Sequence, residues 1–396
     1  MKVALLVPGG VDRSGTERVI PCLLWQIERL AAAGVELHVF AHAQEPRPGR
    51  WPLLGAEVHN AGRRPRRARM LAQLLAEHRR GRFDVLHAVW AAPSGVVAAA
   101  AGALTGAPVL LHLTGGDLTS IPEIGYGVRV RARGRAWLRL ALAGADRVTV
   151  PSGYVLRQAA GLGIAAERLP FGVALDSWRP RIPAPREAPR PGPARVLHVG
   201  SLNRVKDQGT LLRAAARLRE LGVAFQLDVA GEDTLGGEVQ RLAHDLGLGD
   251  VVRFHGFLPQ QLLRPLMEAA DVLVVSSRHE ADPIVALEAA VAGVPVVGTA
   301  VGHLVEWAPE AALVVPVGDA AGLADAVAAL LADERRRLRV AMAARARAMV
   351  EDADWTASRL LALYAELARG TTREDTRLVS RARTSGTRPY VTEELT

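Results

Sequence analysis

Cysteine is almost missing from this chain. Cys22 is the only one among 396 residues, so no internal disulfide can staple the fold. Lysine is nearly missing too, with Lys2 and Lys206 alone. The net charge of +8 is therefore carried almost wholly by arginine, beside abundant alanine, as expected of a GC-rich coding sequence. Such basicity says little about nucleic acid. Interleaved stacking aromatics, zinc-ligand spacing and a helix-turn-helix pattern are all lacking, so no nucleic-acid partner is expected. No apolar run reaches the roughly 20 residues that cross a bilayer. The alanine-rich stretch at 96–103 is too short and is interrupted by Gly102. Met1-Lys2 runs straight into a strand-like segment instead of a charged-then-apolar leader. The expected location is the cytoplasm.

What is present reads as a globular chain, with 49% hydrophobic and 23% charged residues. Its length suits two ordinary domains. Short apolar strands alternate with helical stretches throughout, the pattern of a parallel sheet covered on both faces. Strands are expected at 3–7, 35–40, 84–87, 109–113 and 147–150, with helices at 16–33, 66–79, 94–105 and 128–143. The rhythm breaks at 177–195, where Pro180, Pro183, Pro185, Pro189, Pro191 and Pro193 exclude a helix or central strand. That segment reads as a linker. Strands then resume at 195–199, 224–230, 251–255, 272–276, 294–298 and 312–316. Helices are expected at 207–221, 237–246, 259–270, 283–292, 320–332, 334–349 and 354–368. From Gly370 on, the chain is polar and aperiodic, and a poorly ordered tail is expected at 370–396. Two such domains in tandem place two sheet edges face to face, and ligands of open parallel sheets bind at the carboxyl edge.

Segment 276–295 is the richest in chemistry. A strand ends, a loop carries Glu280, and Asp282-Pro283 reads as an N-cap followed by proline at the first helical position. The start of that helix, with Ile284 and Val285, offers unpaired backbone N–H groups and a partial positive charge suited to phosphate. Glu280 at the rim can accept hydrogen bonds from hydroxyls, and Glu288, about one and a half turns into the helix, can reach a second hydroxylated group. Lys206 draws notice because arginine serves nearly everywhere else, and a compact ammonium suits a phosphate as a point charge.

The two glutamates seven residues apart, with Leu287-Glu288-Ala289-Ala290 and Ala292-Gly293-Val294-Pro295, resemble the E-x7-E signature of the retaining GT-B glycosyltransferases of family four. Other pieces agree in order: Pro8-Gly9-Gly10 as an N-terminal glycine loop, Asp84-Val85-Leu86-His87, His112 after the next strand, and Phe171-Gly172-Val173. Val199-Gly200-Ser201 through Lys206, and finally Trp355 and Tyr364, complete the set. The resemblance covers 1–368. It implies an α/β fold of two Rossmann-like, doubly wound parallel-sheet domains facing across a cleft: 1–176 for the acceptor, 195–353 for the nucleotide-sugar, a linker at 177–194, and a helix at 354–369 crossing back. It also implies roles. Lys206 neutralises the donor diphosphate, Glu280 binds donor-sugar hydroxyls, Glu288 binds the ribose, Gly10 admits the phosphates, and His112 contacts the sugar near the reacting carbon. The catalytic set is then Glu280, His112 and Lys206. No metal and no cofactor are expected, since the donor is itself a substrate.

Three positions depart from the family pattern. Ser201 stands where an arginine is usual, so Arg204 becomes the candidate second cation. Ala281-Asp282-Pro283 replaces Gly-Phe-Gly, and Gly302-His303 replaces Gly-Gly, which brings His303 toward the phosphates. His87 stays open between core and catalysis. Asp352-Ala353-Asp354 has a metal-like spacing but precedes a helix and reads as an N-cap. The basic runs at 63–69 and 129–139 suit either a solvated helix face or contact with an anionic membrane or a lipid-linked acceptor. The leading function is metal-independent, retaining sugar transfer to a glycan or lipid-linked acceptor. A nucleotide-sugar epimerase and a non-catalytic sugar-binding protein are the alternatives.

Overall fold

A computed structural model describes residues 1–186 and 192–370. The expected tail, apart from Gly370, and the linker positions Pro189 and Pro191 lie outside the described residues. The first half runs β1 (Lys2–Val7), α1 (Pro21–Ala32), β2 (Glu36–Ala41), β3 (Gly49–Leu53), β4 (Ala56–Asn60), α2 (Arg66–Arg80), β5 (Val85–Val89) and α3 (Val96–Thr105). It continues β6 (Val109–His112), α4 (Ala132–Ala143), β7 (Arg147–Val150), α5 (Gly153–Gly161) and β8 (Glu167–Arg168). The second half runs β9 (Ala194–Val199), α6 (Gln208–Glu220), β10 (Phe225–Ala230), α7 (Glu238–Asp245), β11 (Val252–Gly256), α8 (Gln260–Glu268), β12 (Val272–Val275) and α9 (Ile284–Val291). It closes with β13 (Val296–Thr299), α10 (Leu304–Trp307), β14 (Leu313–Val315), α11 (Ala320–Ala332), α12 (Glu334–Ala348) and α13 (Ala353–Ala368).

Two sheets result. The first has eight strands in the order β3-β4-β2-β1-β5-β6-β7-β8, and the second six in the order β11-β10-β9-β12-β13-β14. Every pairing is parallel except the β3–β4 hairpin. All six residues of β1 are buried, as helices on both faces of a parallel sheet require. The expected helix at 16–33 begins only at Pro21, whose fixed φ and missing N–H fit a first helical position. Helices α6, α11, α12 and α13 are each capped by an aspartate: Asp207, Asp319, Asp333 and Asp352 accept from the backbone N–H three residues on. Each such cap contributes about 1 kcal/mol. Asp352 is thus an N-cap, and Asp354 pairs with Arg29 at 2.8 Å.

One apolar cluster joins the two halves, running from Leu23 and Trp25 of α1 through Phe171 and Trp178 to Ala286 and Leu287 of α9 and Leu360 of α13. Helix α13 leaves the second domain and packs on the first. Tyr364 Oη lies 2.7 Å from His87 Nδ1, and Thr356 Oγ1 donates to the Pro170 carbonyl at 2.8 Å. His87 is therefore a core brace. Among the described residues no helix is long and apolar enough to cross a membrane.

Candidate functional site

The carboxyl edges of both sheets meet around the 276–282 loop. Lys206 is held there by backbone contacts on either side. Asn203 Oδ1 accepts from Val205 N and Lys206 N at 3.2 and 2.9 Å, and Ser276 Oγ donates to the Lys206 carbonyl at 2.8 Å. Asp207 follows at φ +50°, a left-handed conformation that aspartate tolerates better than most residues. So presented, Lys206 Nζ sits 2.6 Å from Glu280 Oε1, and Ser277 Oγ donates to the same oxygen at 2.7 Å. Burial pushes the Glu280 carboxyl up, but the Lys206 ammonium, the Ser277 hydroxyl and His279 outweigh it and hold the pKa below its ordinary value. Beneath it His198 is neutral, its pKa pushed down to about 4 by burial. Gln208 Nε2 donates to His198 Nε2, which leaves Nδ1–H to donate to the Val274 carbonyl at 2.9 Å.

Ile284 and Glu288 of α9 line a cavity of about 400 Å³ between the domains, faced by Gly15, Thr16 and Trp25 from one side and Phe257, Pro259 and Gln261 from the other. Glu288 is almost fully enclosed, and burial drives its pKa up to about 8 against the opposing influence of the Trp178 indole. A protonated carboxyl both donates and accepts, which suits a vicinal diol. Val285 is half-buried beside Ile284. Helix α9 starts one residue later than expected. Its N-cap is Pro283, without any side-chain cap. Asp282 does not cap the helix, because its carboxylate is bound to His303 Nδ1 at 2.6 Å and faces the Phe171 N–H at 3.4 Å.

The other expected residues are placed as follows. His303 is turned onto Asp282 and packed at a tilt against Trp307, ring centroids 4.6 Å apart, lining a separate interdomain cavity of about 370 Å³ with Arg168 and Glu351. Arg204 reaches Glu238 at 3.1 Å and is more than half exposed. Ser201 is half-buried, its carbonyl accepting from Gln208 at 3.1 Å. Gly10 has φ +82°, and a Cβ there would lie 2.5 Å from Ile20, so the turn itself requires glycine. Its N–H donates to Gln44 Oε1 at 2.7 Å. His112 is 2% exposed, bonded to Thr149 Oγ1 at 2.9 Å and packed edge-on against Phe171. Burial pushes its pKa down to about 3, and its Nε2 has no partner among the described residues. The structure thus brings Lys206 and Glu280 together, sets Ile284 and Glu288 in the cavity, and encloses His112.

Four residues at this junction carry no motif. His279 crosses from the second domain to bond the Gly115 carbonyl at 2.8 Å and Thr119 Oγ1 at 3.1 Å. Asp117 accepts from Ala91 N and Thr114 N at 2.9 and 3.2 Å, yet burial raises its pKa to about 7. Tyr126 and Trp90 lie against Gly116 and Gly115. The glycine pair was the available signal, since adjacent glycines beside a strand end mark close approach. Nearby, Ser152 Oγ donates to the Ala281 carbonyl at 2.6 Å, drawing the loop onto the first domain.

Residues 184–349 match the family described as Glycosyl transferases group 1, and residues 19–172 match the Glycosyl transferase 4-like domain. A D-inositol 3-phosphate glycosyltransferase of Thermomonospora curvata is 31% identical over 85% of this chain and 88% of its own. This chain is a group 1 glycosyltransferase. A second enzyme of that name, from Catenulispora acidiphila, is 32% identical over 84% and 86% of the two chains. Among solved structures, sucrose-phosphate synthase from Thermosynechococcus elongatus superposes with a TM-score of 0.77 at 23% identity, covering 93% of this chain and all of that one. The Anabaena protein HepE, solved with UDP-glucose, superposes at 0.71 with 19% identity, covering 92% and 100%. The glycosyltransferase therefore has the GT-B fold, and its two sheets are the two Rossmann-like halves.

Proposed function

We propose that this glycosyltransferase is metal-independent and retaining, and moves a sugar from a nucleoside-diphosphate sugar to a hydroxyl of a glycan or lipid-linked acceptor. The observation that carries this is the Lys206–Glu280 pair at the interdomain edge, beside a cavity holding Glu288. Lys206 meets the diphosphate, the α9 N-terminus at Ile284 and Val285 adds its dipole, Glu280 orients the sugar hydroxyls, and Glu288 takes the ribose. The bond from the anomeric carbon to the phosphate oxygen breaks as the acceptor oxygen attacks the same face. The acceptor's proton passes to the leaving diphosphate. Glu280 is already engaged by Lys206 and Ser277, which supports a route in which it is not a dedicated base. The protein's part is positioning and charge stabilisation.

The two relatives reported above are named as acting on an inositol phosphate, so a cyclitol phosphate is the first acceptor to try. The first domain also presents an arginine face. Arg67 and Arg133 stack on Trp137 at 3.8 and 4.7 Å. Arg63, Arg64, Arg66 and Arg69 on one side, and Arg131, Arg135 and Arg139 on the other, have no acidic partner among the described residues. This supports peripheral contact with an anionic membrane at the cytoplasmic face, and an absence of co-flotation with phosphatidylglycerol vesicles would remove it. The test of the whole reading is thermal shift across nucleoside diphosphates and their sugars, comparing wild type with Glu288→Ala. One diphosphate series should stabilise the wild type alone, with product of unchanged anomeric configuration formed in the presence of EDTA. Indifference to every nucleotide would sink the donor site.

A further inference from the structure

Trp90, the residue directly after the central strand β5, has φ +70° and ψ 140°. For a bulky side chain this is a true outlier, and such residues persist where the surroundings over-determine them. Both backbone groups are held: Trp90 N donates to the His112 carbonyl at 2.9 Å, and its own carbonyl accepts from Gly95 N at 3.0 Å. The consequence is the indole's position. Its edge lies so close to Gly115 that a Cβ there would come within 2.8 Å of Nε1. On the next residue the same holds for a phenol: a Cβ on Gly116 would lie 3.1 Å from Tyr126 Cζ. The glycine pair is thus flanked by two aromatic rings, and neither glycine can be enlarged without displacing one.

The glycine pair and Tyr126 adjoin the loop that carries Glu280. The Gly115 carbonyl accepts from His279, and the Tyr126 ring lies 5.8 Å from the His279 ring, one residue before Glu280. Burial, and next the charges of Glu280 and Asp117, raise the Tyr126 pKa, so the phenol keeps its proton and remains a donor. Both side chains are half-buried, and neither Trp90 Nε1 nor Tyr126 Oη has a hydrogen-bond partner among the described residues. Tryptophan and tyrosine that are half-buried, with polar tips lacking protein partners, are prepared for a ligand carrying both an apolar face and hydroxyls.

We propose that Trp90 and Tyr126 form the acceptor subsite, and that the acceptor presents a ring-shaped polyol, a pyranose or cyclitol, whose C–H face rests on an aromatic ring while its hydroxyls accept from the indole N–H and the phenol. This rests on the donor assignment above. An open-chain polyol has no flat face to offer these rings and is a poor substrate.

The test uses UDP-glucose, or whichever nucleotide-sugar stabilises the wild type, with methyl α-glucopyranoside, myo-inositol and D-inositol 3-phosphate as ring acceptors and glycerol as the open-chain control. Trp90→Phe and Tyr126→Phe each keep a ring and remove one donor. Each should raise the ring-acceptor KM roughly five- to thirty-fold, the loss of one buried hydrogen bond. Donor KM and the nucleotide-induced thermal shift should not move. Acceptor KM values within twofold of wild type in Tyr126→Phe, or glycerol used as readily as the ring compounds, would overturn the subsite. So would a fall in melting temperature with equal losses for donor and acceptor, the mark of mere packing. Tyr126→Phe decides alone if Trp90→Phe does not fold. A wild type that neither binds nor hydrolyses any nucleotide-sugar sinks the donor reading as well, whereas an active wild type with unaffected variants sinks only this one.

Discussion

Replacing Lys206 with methionine removes the ammonium 2.6 Å from Glu280 while keeping most of the stem. The Glu280 side chain is 14% exposed and Lys206 25%, so the carboxylate left behind is poorly hydrated and keeps the Ser277 hydroxyl as its side-chain donor. Removing one partner of a buried ion pair costs about 3–5 kcal/mol because a charge is stranded. With Lys206 partly solvated, the lower end is expected, about 3 kcal/mol at pH 8. The cost depends on pH, and its sign follows from the two carboxyl pKa values. In wild type the lowered Glu280 pKa contributes stability above the unfolded value of about 4.3, lost as pH falls through the folded value. In Lys206→Met burial, the largest influence, is opposed only by Ser277 and His279, so the folded pKa is expected to rise above the unfolded one and stability to fall as pH increases beyond about 4.3. The gap between the proteins therefore opens between pH 5 and pH 8. Urea unfolding of wild type, Lys206→Met, Glu280→Gln and the double variant at both pH values measures it. At pH 8 the double variant should be more stable than Lys206→Met by about 1–3 kcal/mol, since no buried charge remains. A pH-independent penalty, or a double variant no better than the single, refutes the reasoning.

Glu288, with its pKa raised to about 8, binds a proton in the folded state that the unfolded chain releases near 4.3. Its contribution is complete below the unfolded value and is lost as pH climbs to 8, so Glu288→Gln should flatten the decline of the urea midpoint across that window. Identical slopes for the two proteins would show that burial does not protonate this group. Tyr364→Phe removes the hydroxyl 2.7 Å from His87 Nδ1. Leaving that buried nitrogen unpaired should cost about 1–3 kcal/mol by chemical denaturation, and a loss below about 0.5 kcal/mol would mean that water or a neighbour replaces the bond.

Both Rossmann-like halves were legible in the alternation of apolar strands and helices, because a strand buried on both faces reads as a short continuous apolar run. The edge hairpin was not. Pro52 sits in β3, and Leu54 and Gly55 take a two-residue turn with both φ positive, where only the glycine gives warning. Helix α5 was missed because its cap, Ser152, lies directly after a strand and Pro151, which reads as a turn. At the site, Lys206 and Glu280 could be read from the motif, whereas the fate of His112 could not. Period-2 alternation places it on one face of the sheet but does not say that Thr149 and Phe171 enclose that face. His303 eluded the reading for a similar reason, since its partner Asp282 was assigned to capping α9. Trp90 and Tyr126 are ordinary letters in the sequence, and only the fold sets them against the adjacent glycines.

The return of α13 to the first domain bears on how the polypeptide is made. Leu360, Leu363, Tyr364 and Leu367 are buried against a sheet whose strands leave the ribosome first. Until the entire second domain has emerged, that surface has no lid, and His87 lacks the tyrosine that satisfies it. The packing of the first domain is therefore expected to be completed only once α13 is made. A nascent chain halted before α13 should expose this apolar face and depend on chaperones until α13 is released.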